Sequence, residues 1–205
     1  MDIAAVALAT GMTIAMPVSP LDLFRFGLLA AGAIVHREAV RPIDNQNAQA
    51  TGHGSLTNLT SLWIFAAALS VPLPLVFAIT ALVCLHAGYR SGQARLYRAL
   101  FAGASAAIAS AAAVALLRLV QAAAGYPIIP HGLPGLLLLI GAATVYWLVN
   151  AVLVIGALTL SNPLQRPRRV LGDLSEQVVV AASLGLAIAL AVMLAWEPWL
   201  IAVLM

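Results

Sequence analysis

The sequence predicts an all-α polytopic membrane protein, a helix bundle with about eight spans. Hydrophobic residues make up 63% of its 205 residues and charged residues only 8%, and the mean hydropathy is +1.02. A soluble domain of this size could not bury so much apolar surface in one core. Prolines and short arginine-bearing loops divide the apolar runs. We therefore expect residues 1–205 to form a single integral membrane domain whose first partner is the lipid bilayer.

The first two helices are predicted from an apolar run and a capping signal. Residues 3–16 are apolar and lack the basic start of a cleaved signal peptide, so they predict a short first span. Ser19 and Asp22 then offer an N-cap for a second helix over about 21–40. The stretch 37–54 that follows is rich in Asn, Gln, Ala and Gly, and it predicts a polar, partly disordered connection.

A short broken helix pair around Pro72 and Pro74 is predicted to organise the rest of the chain. Each proline removes a backbone donor and disfavours helix at the residue before it, so one helix should end and another begin there. Residues 58–71 give about 14 helical residues, or roughly 21 Å, against a hydrocarbon core of about 30 Å. The polar residues near the start of this short helix should therefore face protein or a wet cavity.

The remaining spans follow from apolar runs between polar connections. We predict helices over about 96–124, 135–160 and 171–194, separated by proline-containing or basic loops. Small residues spaced by four suggest close helix packing in two of them. These stripes are Gly103, Ala107 and Ala111, and Ala181, Gly185 and Ala189.

The arginines predict the orientation. All ten cationic residues are arginine, and eight of them fall in the connections at 37–54, 89–98 and 161–170. Under the positive-inside rule these connections are cytoplasmic, as are the N-terminus and any C-terminal continuation of this multi-pass plasma-membrane protein. Because the arginines lie between apolar spans and form no single stripe, they predict no nucleic-acid partner.

Motifs of soluble enzymes are absent, so the sequence assigns no catalytic residue. There is no P-loop, G-x-G-x-x-G, H-E-x-x-H or G-x-S-x-G, and the single Cys84 excludes a thiolate metal cluster. The four histidines are scattered over separate segments, which argues against a metal site. Asp173 and Glu176 share a helix face, but the arginines beside them favour a solvated ionic cluster over acid chemistry.

Two polar and aromatic groups inside the apolar spans are the candidate ligand-binding residues. Within each group the helical spacing puts several side chains on one face. Interhelical hydrogen bonds and a small-molecule pocket both explain such groups. The candidates are Asn58, Ser61, Trp63, Tyr146, Trp147 and Asn150.

Four stretches resemble the N-terminal membrane region of actinobacterial GGDEF-domain proteins. They are LTNLTSLWIFAAALSVP at 56–72, the loop and helix at 95–101, VYWLVN at 145–150 and LGDLSE at 171–176. In that family the membrane region precedes a cytoplasmic diguanylate cyclase domain, which condenses two GTP molecules into cyclic di-GMP. The cyclase signature is absent here, so the resemblance assigns neither a catalytic residue nor a cofactor to this segment.

The resemblance implies a membrane sensory or anchoring domain that regulates a C-terminal diguanylate cyclase. The chain is then expected to continue after Met205 through a linker helix into the output domain, and to pair as a homodimer through its last spans and linker. The alternatives are a transport subunit that binds a small solute and a structural subunit of a membrane complex.

Overall fold

The fold is a helix bundle, seen in a computed structural model that describes residues 18–51, 60–91, 93–124, 132–161 and 174–196. Within these ranges the chain forms six helices and no strand. The all-α prediction is confirmed for the described residues. In chain order the helices are α1 (Pro20–Thr51), α2 (Thr60–Ser70), α3 (Leu73–Ser91), α4 (Gln93–Ala124), α5 (Gly132–Ser161) and α6 (Leu174–Trp196).

The number of spans differs from the eight expected. In the described part of the chain, three helical stretches are long and apolar enough to cross a membrane, namely Leu100–Ala123, Gly132–Ala157 and Gln177–Trp196. The apolar parts of α2 and α3 are shorter, because the chain breaks between them, and α1 becomes polar in its second half. Eight spans are therefore not supported. The predicted spans at 3–16 and after residue 199 lie outside the described residues.

Helix α1 begins as predicted and ends later. The Ser19 backbone N–H donates to Asp22 Oδ2 at 3.0 Å, and the Asp22 N–H donates back to Ser19 Oγ at 3.1 Å, which forms a capping box. Pro20 occupies the first helical position, where its missing N–H costs nothing. The helix then continues to Thr51, so the predicted connection at 37–54 is helical over most of its length. Its Ala and Gln residues are compatible with helix despite their lack of apolar bulk.

The predicted break at Pro72 is present. The Val71 N–H still donates to the Ala67 carbonyl at 2.9 Å, and Pro72 has no N–H with which to continue the ladder. The Pro72 carbonyl accepts from the N–H groups of Leu75 and Val76 at 2.9 and 3.3 Å and so begins α3. With 11 residues, α2 is about 16 Å long, which is about half the thickness of a hydrocarbon core.

Helix α2 lies at the centre of the bundle. It packs against four other helices, α1, α3, α4 and α6. Six consecutive residues, from Ile64 to Leu69, are buried, and Phe65 is fully buried. A helix that is apolar and buried on all sides belongs to the interior of a protein. The shortest helix is therefore the one around which the others pack.

Helices α3 and α4 approach closely at Gly103. A Cβ atom at this position would collide with Cys84 Sγ and lie 3.1 Å from Thr80 Cγ2. Gly103 and Ala107 are buried, as expected of a packing stripe. The second small-residue stripe differs, because Ala181, Gly185 and Ala189 are exposed on α6.

Candidate functional site

The first group of candidate residues joins α2 to α1. Trp63 is half-buried, and its indole N–H donates to Nδ1 of His36 at 3.3 Å. The two rings are tilted, with centroids 6.0 Å apart. Ser61 is half-buried two residues earlier on α2, and Asn58 lies outside the described residues. Trp63 therefore links two helices through a side-chain hydrogen bond.

The second group joins α5 to two different helices. The ring of Tyr146 is buried against Phe65 of α2, with centroids 4.9 Å apart. The Tyr146 hydroxyl is buried and has no hydrogen-bond partner among the described residues. The neighbouring Trp147 donates its indole N–H to Oε1 of Gln177, on α6, at 3.0 Å. Adjacent aromatic residues on α5 thus contact α2 and α6.

Phe65 connects the two groups, because its ring on α2, the helix of Ser61 and Trp63, contacts the ring of Tyr146 on α5. Ser61 lies four residues from Phe65 on α2, and Asn150 lies four residues from Tyr146 on α5, about 6 Å along each helix axis. Both side chains are half-buried. Where hydroxyl, amide and phenol groups lie close together, they can bind a polar solute by hydrogen bonds.

A further polar pair, which the sequence did not predict, joins α1 to α3. Nε2 of His86 lies 2.8 Å from Oε1 of Glu38, and both side chains are partly exposed. Glu38 follows His36 by two residues, so one short stretch of α1 supplies side chains to both α2 and α3. The sequence alone did not indicate partners for these histidines, because Trp63 lies 27 residues from His36 and Glu38 lies 48 residues from His86 along the chain. In the part of the chain that the structure describes, no group of three or more His, Cys, Asp or Glu side chains could hold a metal ion.

Replacing Tyr146 by phenylalanine is expected to leave the fold intact and to stabilise it by about 1 kcal/mol, because it removes a buried hydroxyl without a described partner. Unfolding by SDS in mixed micelles, followed by circular dichroism, measures the change. Thr144→Val is the matched control, because the Thr144 hydroxyl is exposed and donates to the Ile140 carbonyl. A clear loss of stability in Tyr146→Phe would show that the hydroxyl has a partner in the membrane.

No protein-family model, no curated protein and no solved structure matches this chain. The features that bear on function are therefore the three helices long and apolar enough to cross a membrane, the buried short helix and the side-chain pairs that link the helices.

Proposed function

We propose that the chain is a membrane-embedded sensory or anchoring domain of a cyclic di-GMP signalling protein, which regulates a C-terminal diguanylate cyclase. The observation that carries this proposal is the position of α2. This short helix is enclosed by four others and is held to α1 by the Trp63 and His36 hydrogen bond. A stimulus that displaces α2 would change the packing of several spans at once, because packed interiors respond by discrete shifts.

The route from α2 to an output domain runs through α6. This helix packs directly against α2, and it is the last described element before the C-terminal residues. A shift of α2 would move α6 and any linker helix that continues it. In a homodimer, such a movement changes how two linker helices pair, and so whether two GTP-loaded cyclase domains face each other.

Self-association through α6 is supported by its exposed stripe of Ala181, Gly185 and Ala189. Small residues at this spacing let two membrane helices approach closely. We expect Gly185→Leu to reduce energy transfer between donor- and acceptor-labelled copies in vesicles. Gly27→Leu is the control, because Gly27 is also exposed, with no atom near the position of a Cβ, and lies on α1. Equal energy transfer in both variants would contradict pairing through α6.

The proposed orientation places the N-terminus and the arginine-rich connections in the cytoplasm. In a Cys84→Ala background, cysteines at Gln93 and Gln165 should be shielded from a membrane-impermeant thiol reagent in intact cells, and one at Ile129 should react. Permeabilised cells provide the control, since all three sites should then be labelled. Labelling of the first two sites in intact cells would reverse the topology.

Binding of a small solute, as in a transport subunit, is the second candidate function. The Tyr146 hydroxyl favours it, because this buried polar atom has no hydrogen-bond partner among the described residues. Broken helices in transporters place polar groups at membrane depth in this way. A structural subunit of a membrane complex is the remaining alternative, and it would need no solute bound to these polar groups.

The deciding experiment measures cyclic di-GMP formed from GTP by the protein as the intact gene encodes it, reconstituted in vesicles. We expect synthesis in the wild type. Trp63→Phe loses the hydrogen bond to His36 and keeps an aromatic ring. It should change the rate of cyclic di-GMP synthesis at least about threefold, because it alters the balance between the two packing arrangements of the helices. Phe24→Leu, on the exposed face of α1, is the control. Absence of synthesis would exclude the cyclase proposal and favour the solute-binding or structural alternative.

A further inference from the structure

Helix α1 is joined to two neighbouring helices by side-chain pairs that each contain a histidine. Nε1 of Trp63, on α2, lies 3.3 Å from Nδ1 of His36, and Nε2 of His86, on α3, lies 2.8 Å from Oε1 of Glu38. Histidine is the side chain that ordinarily gains or loses its charge near neutral pH. The effect of a proton on each contact follows from the atoms that meet there.

The contact between α1 and α2 requires a neutral imidazole. An indole N–H group can only donate, so Nδ1 of His36 is the acceptor. A ring nitrogen accepts only when it carries no proton, and in the imidazolium both ring nitrogens carry one. When a proton binds at Nδ1, two N–H groups point at each other and the hydrogen bond to Trp63 is lost.

No cation–π contact replaces this hydrogen bond. The indole of Trp63 presents its N–H edge to His36, and the two rings are tilted with centroids 6.0 Å apart. The edge of an aromatic ring is the positive end of its quadrupole, whereas a cation is attracted to the face. A charged His36 is therefore repelled by the part of the indole that it meets.

The contact between α1 and α3 survives protonation. The ionised Glu38 carboxylate only accepts, so Nε2 of His86 is the donor. Nε2 carries a proton in one neutral tautomer and also in the imidazolium, so the bond remains when His86 becomes charged. It then becomes a charge-assisted hydrogen bond, which is shorter and stronger than a neutral one. Acidification therefore has opposite effects on the two contacts of α1.

The charged groups near the two histidines come from α1 and α3. These are the exposed Arg37 and the half-buried Glu38 on α1, and Cys84 and His86 on α3, where Cys84 interacts electrostatically with Arg37. Helices α2 and α3 are the ones that pack closely against α1, and α2 contains no residue that changes charge near neutral pH. In the described part of the chain, the carboxylate thus contacts His86, whereas His36 contacts an indole.

Water lies near this part of α1. The sequence of the helix from Arg41 to Thr51 is RPIDNQNAQAT, and charged and amide side chains in this number are not compatible with lipid. Both histidine side chains are half-buried and not enclosed. Protons from the adjacent water can therefore reach them.

We propose that His36 and His86 form a pH-sensitive switch, in which acidification releases α1 from α2 and holds α1 to α3. One proton binds at Nδ1 of His36 and takes the place of the Trp63 N–H group. Another charges the ring of His86 and turns its contact with Glu38 into an ion pair. The switch goes beyond the proposed signalling function and is measured without cyclase activity, so either can fail while the other stands.

The test follows the indole N–H resonances by NMR, in the intact protein with isotope-labelled tryptophan, between about pH 8 and pH 5. The protein is held in phosphatidylcholine nanodiscs, and Trp63→Phe and Trp147→Phe identify the two resonances. We expect the Trp63 indole proton to move to lower chemical shift on acidification, as loss of a hydrogen bond requires. Trp147 is the internal control and should not move, because it donates to Gln177, whose amide does not titrate.

Two variants assign the response to His36. In His36→Gln the side chain can still accept from the indole but cannot become charged, so the Trp63 resonance should be the same at both pH values. His86→Gln is the matched control, because it removes the other histidine, and its Trp63 resonance should titrate as in the wild type. A Trp63 resonance that stays constant in the wild type, moves equally in His36→Gln, or moves together with that of Trp147 would overturn the switch.

Two further readouts come from labelled histidine. The ring resonances of His36 in the wild type should titrate with the same midpoint as the Trp63 indole, and different midpoints refute the proposal even if His36→Gln does not fold. The Nε2 proton of His86 should remain visible at the lowest pH in the wild type and be lost to exchange with water in Glu38→Ala. Loss of this signal from the wild type would show that α1 is not held to α3.

Discussion

Replacing Gly103 by leucine is expected to lower the free energy of unfolding by about 3 kcal/mol and to separate α3 from α4. The reason is the contact of this glycine with Cys84 and Thr80, which leaves no space for a Cβ atom and still less for a branched side chain. Membrane helices depend on close packing of this kind, since lipid supplies no strong hydrophobic force between them. Unfolding by SDS in mixed micelles, followed by circular dichroism, measures the loss.

The control and the rescue for Gly103 use other residues of the same chain. Gly27→Leu should have little effect, within about 0.5 kcal/mol, because nothing lies near the position of its Cβ. Gly103→Ala should cost about 1 to 3 kcal/mol, and adding Cys84→Ala should restore part of it by removing the colliding sulfur atom. Additive effects of these two alanine substitutions would show that the collision is not the cause.

Replacing Phe65 by alanine should cost about 3 to 5 kcal/mol, which is the range for truncating a fully buried aromatic side chain. The substitution opens a cavity between α2 and its neighbours and removes the ring contact with Tyr146, which itself contributes about 0.5 to 1.5 kcal/mol. Because α2 packs against four helices, the cavity cannot be closed by moving one neighbour. The same SDS unfolding measurement applies.

Phe24→Ala is the matched control for Phe65. Phe24 is 52% exposed on α1, so its truncation should change the free energy of unfolding by about 0.5 kcal/mol or less. Equal losses in the two variants would mean that α2 is not the interior helix of the protein in the membrane. A large loss in Phe65→Ala alone supports the central position of α2.

Local features of the fold could be predicted because each depends on residues close together in the sequence. The capping box needs only Ser19, Pro20 and Asp22, and the break between α2 and α3 needs only the missing N–H of Pro72 and the restriction it places on Val71. The prediction of a polar connection at 37–54 was wrong. The composition of this stretch indicated a connection, whereas the chain remains helical to Thr51.

The candidate site could be predicted only in part. The sequence identified Trp63, Tyr146 and Trp147 as polar aromatic residues within apolar spans. It did not identify His36, Phe65 and Gln177, the residues they contact. Helical spacing shows which residues share a face of one helix, but not which face of another helix lies opposite.

The sequence by itself determined the all-helical class, the candidate membrane spans, the start of α1 and the break at Pro72, because hydropathy, capping and proline geometry act over a few neighbouring residues. Only the tertiary structure decided that α2 lies in the interior and that Glu38 meets His86, 48 residues away. Which residues of two packed helices lie opposite each other likewise depends on how those helices align. That alignment is set by packing at individual contacts such as Gly103 against Cys84, where the fit of side chains from distant segments decides which residues face each other.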